Sequence, residues 1–188
     1  MSSRQRLLDA TVEQVTTLGI GDLSLRQLAA ALGTSHRMLI YHFGSKEGLL
    51  VAVVQEMERR QRDALRTTAP DGSPVDLARQ FWRRISDPEL WSHERLFFEV
   101  YGQALQGRPY AVRLLDGVIE DWVAPVATGL ESFGLPEAAA RAEARLGLAV
   151  VRGLLLDLLA TGDRAGVDDA METYLESVAA RLAALPTH

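Results

Sequence analysis

The chain has 188 residues, 47% of them hydrophobic and 24% charged, with a formal net charge of −5 and no cysteine. That length suits one ordinary domain, or a small head joined to a modest core, and is too short for a large multi-domain enzyme. The lack of cysteine excludes a disulfide scaffold, a Cys-ligated metal site and a thiol nucleophile. An isoelectric point near 5.4 argues, taken alone, against a nucleic-acid partner. The N-terminal MSSRQRLLDATVEQ has no apolar stretch of the secretory kind. The longest apolar run, residues 146–160, is too short to span a bilayer and carries Arg152 and Asp157. A cytoplasmic protein without a membrane segment is expected.

No segment alternates apolar and polar residues as a half-buried strand does, and an all-α fold of about nine helices is expected. The first helix covers 3–18, with Leu8, Val12 and Val15 on one face and Gly19 as its stop. After a loop at 19–22, Ser24 with Gln27 forms a capping box, and Leu23 with Leu28 a hydrophobic staple. Leu25, Leu28, Ala29 and Leu32 then follow helical spacing up to Gly33. Thr34 or Ser35 caps a short helix over 36–42, broken at Phe43-Gly44. Ser45 caps a long helix reaching Arg66, with Leu50, Val53, Val54 and Met57 inside and Glu47 in its first turn. Residues 67–74 are the clearest linker. Further helices are expected over 73–85, 87–106, 110–130 (kinked or split at Pro125), 136–161 and 168–185.

The charge is unevenly spread. Residues 1–47 carry five basic and four acidic residues, for +1, and the remainder carries 15 basic and 21 acidic, for −6. The objection from the isoelectric point therefore averages over two regions of opposite sign.

The two short helices joined at Gly33-Thr34 have the size and spacing of a DNA-binding helix-turn-helix. The first has an apolar inner stripe, and the second offers Ser35, His36, Arg37 and Tyr41 as donors for base edges and phosphates. An ordinary helical hairpin in a core has the same outline. The surrounding residues decide between them. LLDATVEQVTTLGIGDLSLRQLAAALGTSHRMLIYHFGSKEGLL resembles the N-terminal head of the tetracycline-repressor (TetR) family of bacterial transcription regulators. The match runs through Gly19, Ser24, Leu28-Ala29, Leu32-Gly33, Ser35, Tyr41-His42-Phe43 and Ser45-Lys46-Glu47, about the first quarter of the chain, while the rest matches only in helical layout.

That resemblance implies a DNA-binding head over 1–47 and a ligand-binding and dimerisation region over 48–188. Ser24 would bind a phosphate, Ser35, His36 and Arg37 would face the major groove, and Tyr41 and His42 would lie against the sugar-phosphate backbone. Lys46 would hold a phosphate at a helix N-terminus. Leu28, Leu32, Leu39 and Phe43 would be core. Two positions depart from the family pattern: Met38 stands where small or polar residues are common, and Ile40 where an aromatic is frequent.

Nine of the twelve aromatics fall between residues 81 and 133. A pocket for an apolar or aromatic small molecule needs such walls, and the lining is expected from Trp82, Trp91, His93, Phe97, Phe98, Tyr101 and Trp122. A helical core needs aromatics too. The helix over 136–161 is apolar all round, so one side requires a partner. A homodimer interface is expected from Leu146, Val150, Gly153, Leu154, Asp157 and Leu158, with Met171, Leu175, Val178 and Leu182 of the last helix.

No HExxH, P-loop, GxSxG or GxGxxG occurs, and His36, His42, His93 and His188 show no metal-ligand spacing, so neither catalysis nor a cofactor or metal is expected. The expectation is a homodimeric regulator, a repressor that binds a palindromic operator and is released by a small ligand. The alternative is a helical small-molecule- or protein-binding module with little DNA affinity.

Overall fold

In a computed structural model of the chain, residues 2–18, 23–67 and 72–184 are described. They form nine α-helices and two short 3-10 turns, with no strand among the described residues. The loop expected at 19–22, with the Gly19 stop, lies outside the described residues, as do linker residues 68–71, Leu185 and the side chains of Val15 and Arg66. The helices are α1 (Ser3–Leu18), α2 (Leu25–Ala31), α3 (His36–Phe43), α4 (Lys46–Thr67), α5 (Pro74–Ile85), α6 (Trp91–Leu105), α7 (Glu120–Ser132), α8 (Glu137–Thr161) and α9 (Arg164–Ala183). No helix among the described residues is long and apolar enough to cross a membrane.

Start and stop chemistry accounts for most boundaries. Ser73 and Asp76 make a capping box for α5, with Pro74 in its first turn. Gly162 ends α8 in the left-handed conformation at φ +73°. Asp163 accepts from the Gly166 N–H at 3.0 Å and starts α9 four residues earlier than expected. The expected helix over 110–130 is corrected: its first ten residues are turns around a 3-10 segment (Val112–Leu115), and helix begins at Glu120. Gly117, at φ +77°, explains this, because no right-handed helix passes through that conformation. The expected helix over 87–106 likewise begins with a separate 3-10 turn, Pro88–Leu90. Pro125 neither splits nor ends α7.

The chain forms two compact units, residues 1–61 with 88–116 and residues 62–87 with 117–188. In the first, α2 packs on α3 and α1 on α6. Leu28, Leu39, Leu49, Val53 and Val54 are completely buried. The α6 helix thus belongs to the same unit as the helix-turn-helix, which the division at residue 47 did not anticipate. In the second unit α7 packs along α8, and α9 packs on both α5 and α8. Val123, Ala127, Leu130, Ala140 and Ala144 form a core there, with Leu148 and Leu182 packed against it.

Candidate nucleic-acid interface

The helix-turn-helix is held by its caps. The Ser24 hydroxyl accepts from the Gln27 N–H at 3.3 Å and donates to Gln27 Oε1 at 2.7 Å, while the Ser24 N–H donates to the same oxygen at 2.9 Å. Ser24 is therefore exposed but already committed to fixing the start of α2. The turn closes at Gly33, φ +61°, where the Thr34 N–H reaches the Ala29 carbonyl at 2.9 Å. Ser35 accepts from the Met38 N–H at 3.2 Å and starts α3. Gly44, φ +77°, ends it. Ser45 then accepts from the Gly48 N–H at 3.0 Å at the head of α4. A Cβ on Gly48 would overlap the Phe43 carbonyl oxygen, so this glycine lets α4 leave α3 at a tight angle.

These caps fix which side of α3 faces outward. Leu39 is fully buried, while Ser35, His36, Arg37, Met38, Ile40 and Tyr41 are exposed, Tyr41 at 78%. Arg37 and Tyr41, four residues apart, share the face opposite Leu39. His42 turns inward: its ring meets Tyr41 at 5.0 Å and Phe43 at 6.2 Å, and its buried Nε2 has no hydrogen-bond partner. The residue as a whole is half-buried, beside Leu39 on the helix, so it offers less surface to a sugar-phosphate backbone than Tyr41 does. Lys46 opens α4 and is partly buried. Sequence reasoning missed Arg4, whose guanidinium lies 5.1 Å over the Phe43 ring and adds a cation beside the end of α3. Nothing local in the sequence pairs positions 4 and 43.

The expected effector residues fall in both units, and each group is engaged within its own. In the first, Phe97 stacks on Tyr101 at 5.3 Å and meets Phe98 edge-on at 5.2 Å. Trp91 lies under the Arg95 guanidinium, 5.7 Å away. His93 is buried and hydrogen-bonds the Val12 backbone. Beside it Gln61 donates to buried Glu94 at 2.7 Å, and Arg60 bridges Glu56 and Asp9. In the second unit, Trp122 is buried against Phe81 at 5.4 Å, with Arg62 over its ring at 5.8 Å. Trp82 is buried and donates to Asp168 at 2.7 Å. A cleft of about 180 Å³ in this unit is lined by Ala64, Leu65, Leu77, Gln80, Phe81 and Arg84, none of them among the expected effector residues. It is smaller than the roughly 300–1,000 Å³ of ordinary ligand pockets.

The His93 environment gives a first prediction. Burial lowers its pKa below the usual 6.5, and Arg60 adds to this against the opposing Val12 hydrogen bond. The unfolded chain therefore binds more protons just below that value, so His93 contributes stability that is present above about pH 6.5 and lost as pH falls through it. Glu56, held below the ordinary carboxylate range chiefly by its Arg59 hydrogen bond, loses its contribution only at more acid pH. Tm, which moves about 2–4 °C per kcal/mol at this chain length, is expected to fall between pH 7.5 and 5.5. His93→Gln should flatten that slope in a thermal-melting series; an unchanged slope would refute it.

Comparison with known proteins agrees with this geometry. Residues 7–53 match the family model described as bacterial regulatory proteins, tetR family. The HTH-type transcriptional regulator BetI of Cronobacter sakazakii is 36% identical over 62 residues, covering 33% of this chain and 31% of that protein. The BetI of Klebsiella pneumoniae is 33% identical over 73 residues, covering 37% of each. The chain thus spans about a third of the length of the curated relatives it matches. A transcriptional regulator from Rhodococcus sp. Rha1 superposes with a TM-score of 0.77 at 18% identity, over 98% of this chain and 100% of that one. A TetR transcriptional regulator from Legionella pneumophila superposes with a TM-score of 0.72 at 19% identity, over 95% and 97%. At that identity these superpositions establish a shared fold.

Proposed function

Because residues 7–53 carry the head of the tetR family of bacterial regulatory proteins and the chain has the TetR fold, we propose that the protein is a DNA-binding transcription regulator, a repressor acting as a homodimer on a palindromic operator. The observation that carries this reading is α3, an eight-residue helix capped by Ser35 and anchored by fully buried Leu39, which holds Arg37 and Tyr41 out into solvent. Two such helices in a dimer would enter successive major grooves about 34–36 Å apart. Arg37 is the guanine reader and Tyr41 a backbone contact, with Lys46, Arg4 and the exposed N-terminus of α3 adding favourable potential. Ser24 acts mainly as the cap of α2, placing the backbone amides that face a phosphate.

Dimerisation is assigned to exposed faces of α8 and α9. On α8, Ala142, Leu146, Ala149, Gly153, Leu156 and Ala160 form an exposed apolar stripe, and on α9 Ala170, Thr173, Ser177 and Ala180 form one of small residues. Of the interface residues expected from sequence, Leu146 and Gly153 lie on that stripe, Asp157 is exposed beside it, and Val150, Leu154 and Leu182 are partly buried. Leu158, Met171, Leu175 and Val178 are buried within the protomer, which supports a role in its own core rather than at the interface. A small effector would act on the second unit, to which α4 contributes residues from Arg62 onward while its earlier residues belong to the first. The effector releases DNA only if it binds the DNA-free form more tightly.

Selection of bound duplexes from random DNA, followed by titration at two salt concentrations, tests the reading. A regulator enriches one palindromic sequence and loses affinity as salt rises, because phosphate contacts release counterions. With a head of only +1, the salt slope should be modest and affinity should depend on sequence. No enrichment would favour the helical binding module instead.

A further inference from the structure

Resting on the assignment of α3 as the recognition helix, we propose that Met38 and Ile40 read thymine methyl groups in the major groove, on either side of the position reached by Arg37 and Tyr41. Successive residues turn about 100° around a helix. With Leu39 fully buried, Arg37 and Tyr41 point directly away from the core, and Met38 and Ile40 flank them on opposite sides. Both flanking side chains remain open to solvent, Met38 at 37% and Ile40 at 39%. One exposed apolar residue needs no explanation, but these two sit within the same surface as Ser35, His36, Arg37 and Tyr41.

A helix about 10–12 Å across with its side chains fills a major groove about 12 Å wide, so its flanks meet the groove as well as its outermost face. The apolar group a base pair presents there is the C5-methyl of thymine; the other groups are hydrogen-bond donors and acceptors. Ile40 has no hydrogen-bonding atom, and Met38 has only a weakly accepting thioether. Set against a cytosine amino group or a guanine acceptor, either would bury a polar group with no partner, which costs binding. Set against a thymine methyl, both surfaces leave water together. Each half-site should therefore carry thymine on both sides of the base pair that Arg37 faces.

The test uses the full chain and the operator it selects from random duplex DNA. Half-site thymines are replaced by deoxyuridine, which keeps every hydrogen bond and lacks only the methyl. Affinity is expected to fall about four-fold for each methyl contacted, the effect of burying one methyl group. Met38→Ala and Ile40→Ala, both surface changes whose folding circular dichroism can verify, should each abolish the response to one subset of replacements. A deoxyuridine operator bound as tightly as the thymine operator, or a penalty unchanged in both variants, overturns this inference and leaves the DNA-binding function standing. Failure to select any duplex overturns both.

Discussion

Arg37→Ala is expected to abolish specific operator binding without unfolding the protein, and Tyr41→Ala to come close to it. Both side chains lie on the face of α3 opposite Leu39, and both are exposed, so truncation leaves no cavity. A bidentate arginine–guanine contact discriminates by about 1–3 kcal/mol. A dimer on a palindrome makes that contact twice, so loss of both costs about 2–6 kcal/mol, roughly 30-fold to 10⁴-fold in affinity. As a backbone contact Tyr41 would fix register, so its loss should weaken all sequences alike, whereas loss of Arg37 should also relax the preference at one base pair. Quantitative footprinting checks this, with thermal melting to verify the fold. Footprints unchanged in both variants would remove α3 from the interface.

The acidity of the chain bears on the same prediction. The negative excess belongs to residues 48–188, and the head is slightly positive. Weak non-specific attraction leaves little affinity behind once Arg37 is gone, so the variant should show neither specific nor appreciable background binding at physiological salt.

Local chemistry made the head legible. The Ser24–Gln27 box, the Ser35 and Ser45 caps and the glycines at 33 and 44 act within five residues, and the structure places α2, α3 and the start of α4 accordingly. What escaped was decided at longer range. The family resemblance implies a core Leu39, but periodicity cannot bring Arg4 over Phe43, or turn His93 of α6 toward the Val12 backbone of α1. It also read 110–119 as helix, because the weight of apolar residues there masked Gly117. The aromatics of 81–133 were legible as a concentration, but composition cannot separate a pocket wall from a ring packed in a core. Trp82, tied to Asp168 and buried, belongs to the core.

Helices α8 and α9 pose that ambiguity most sharply, and mutation can resolve it. An all-round apolar helix must be covered on both sides, yet its sequence does not say which side its own chain covers. The structure divides them: Leu158, Met171 and Leu175 are buried within the protomer, whereas Ala149 and Leu156 remain exposed, Leu156 at 53%. Two kinds of substitution should therefore behave oppositely. Leu158→Ala or Leu175→Ala leaves a cavity and should destabilise the fold by about 2–5 kcal/mol, with the dimer retained under native conditions. Ala149→Arg or Leu156→Arg introduces a charge that only a buried interface would resist, because removing it from water without a partner is costly. These variants should sediment as folded monomers and bind the operator far more weakly, since each head would have to find its half-site alone. Where folding and association are coupled, their Tm should also lose any dependence on protein concentration. An arginine at 149 or 156 that leaves sedimentation unchanged would move the dimer interface off this face, whatever its effect on DNA binding.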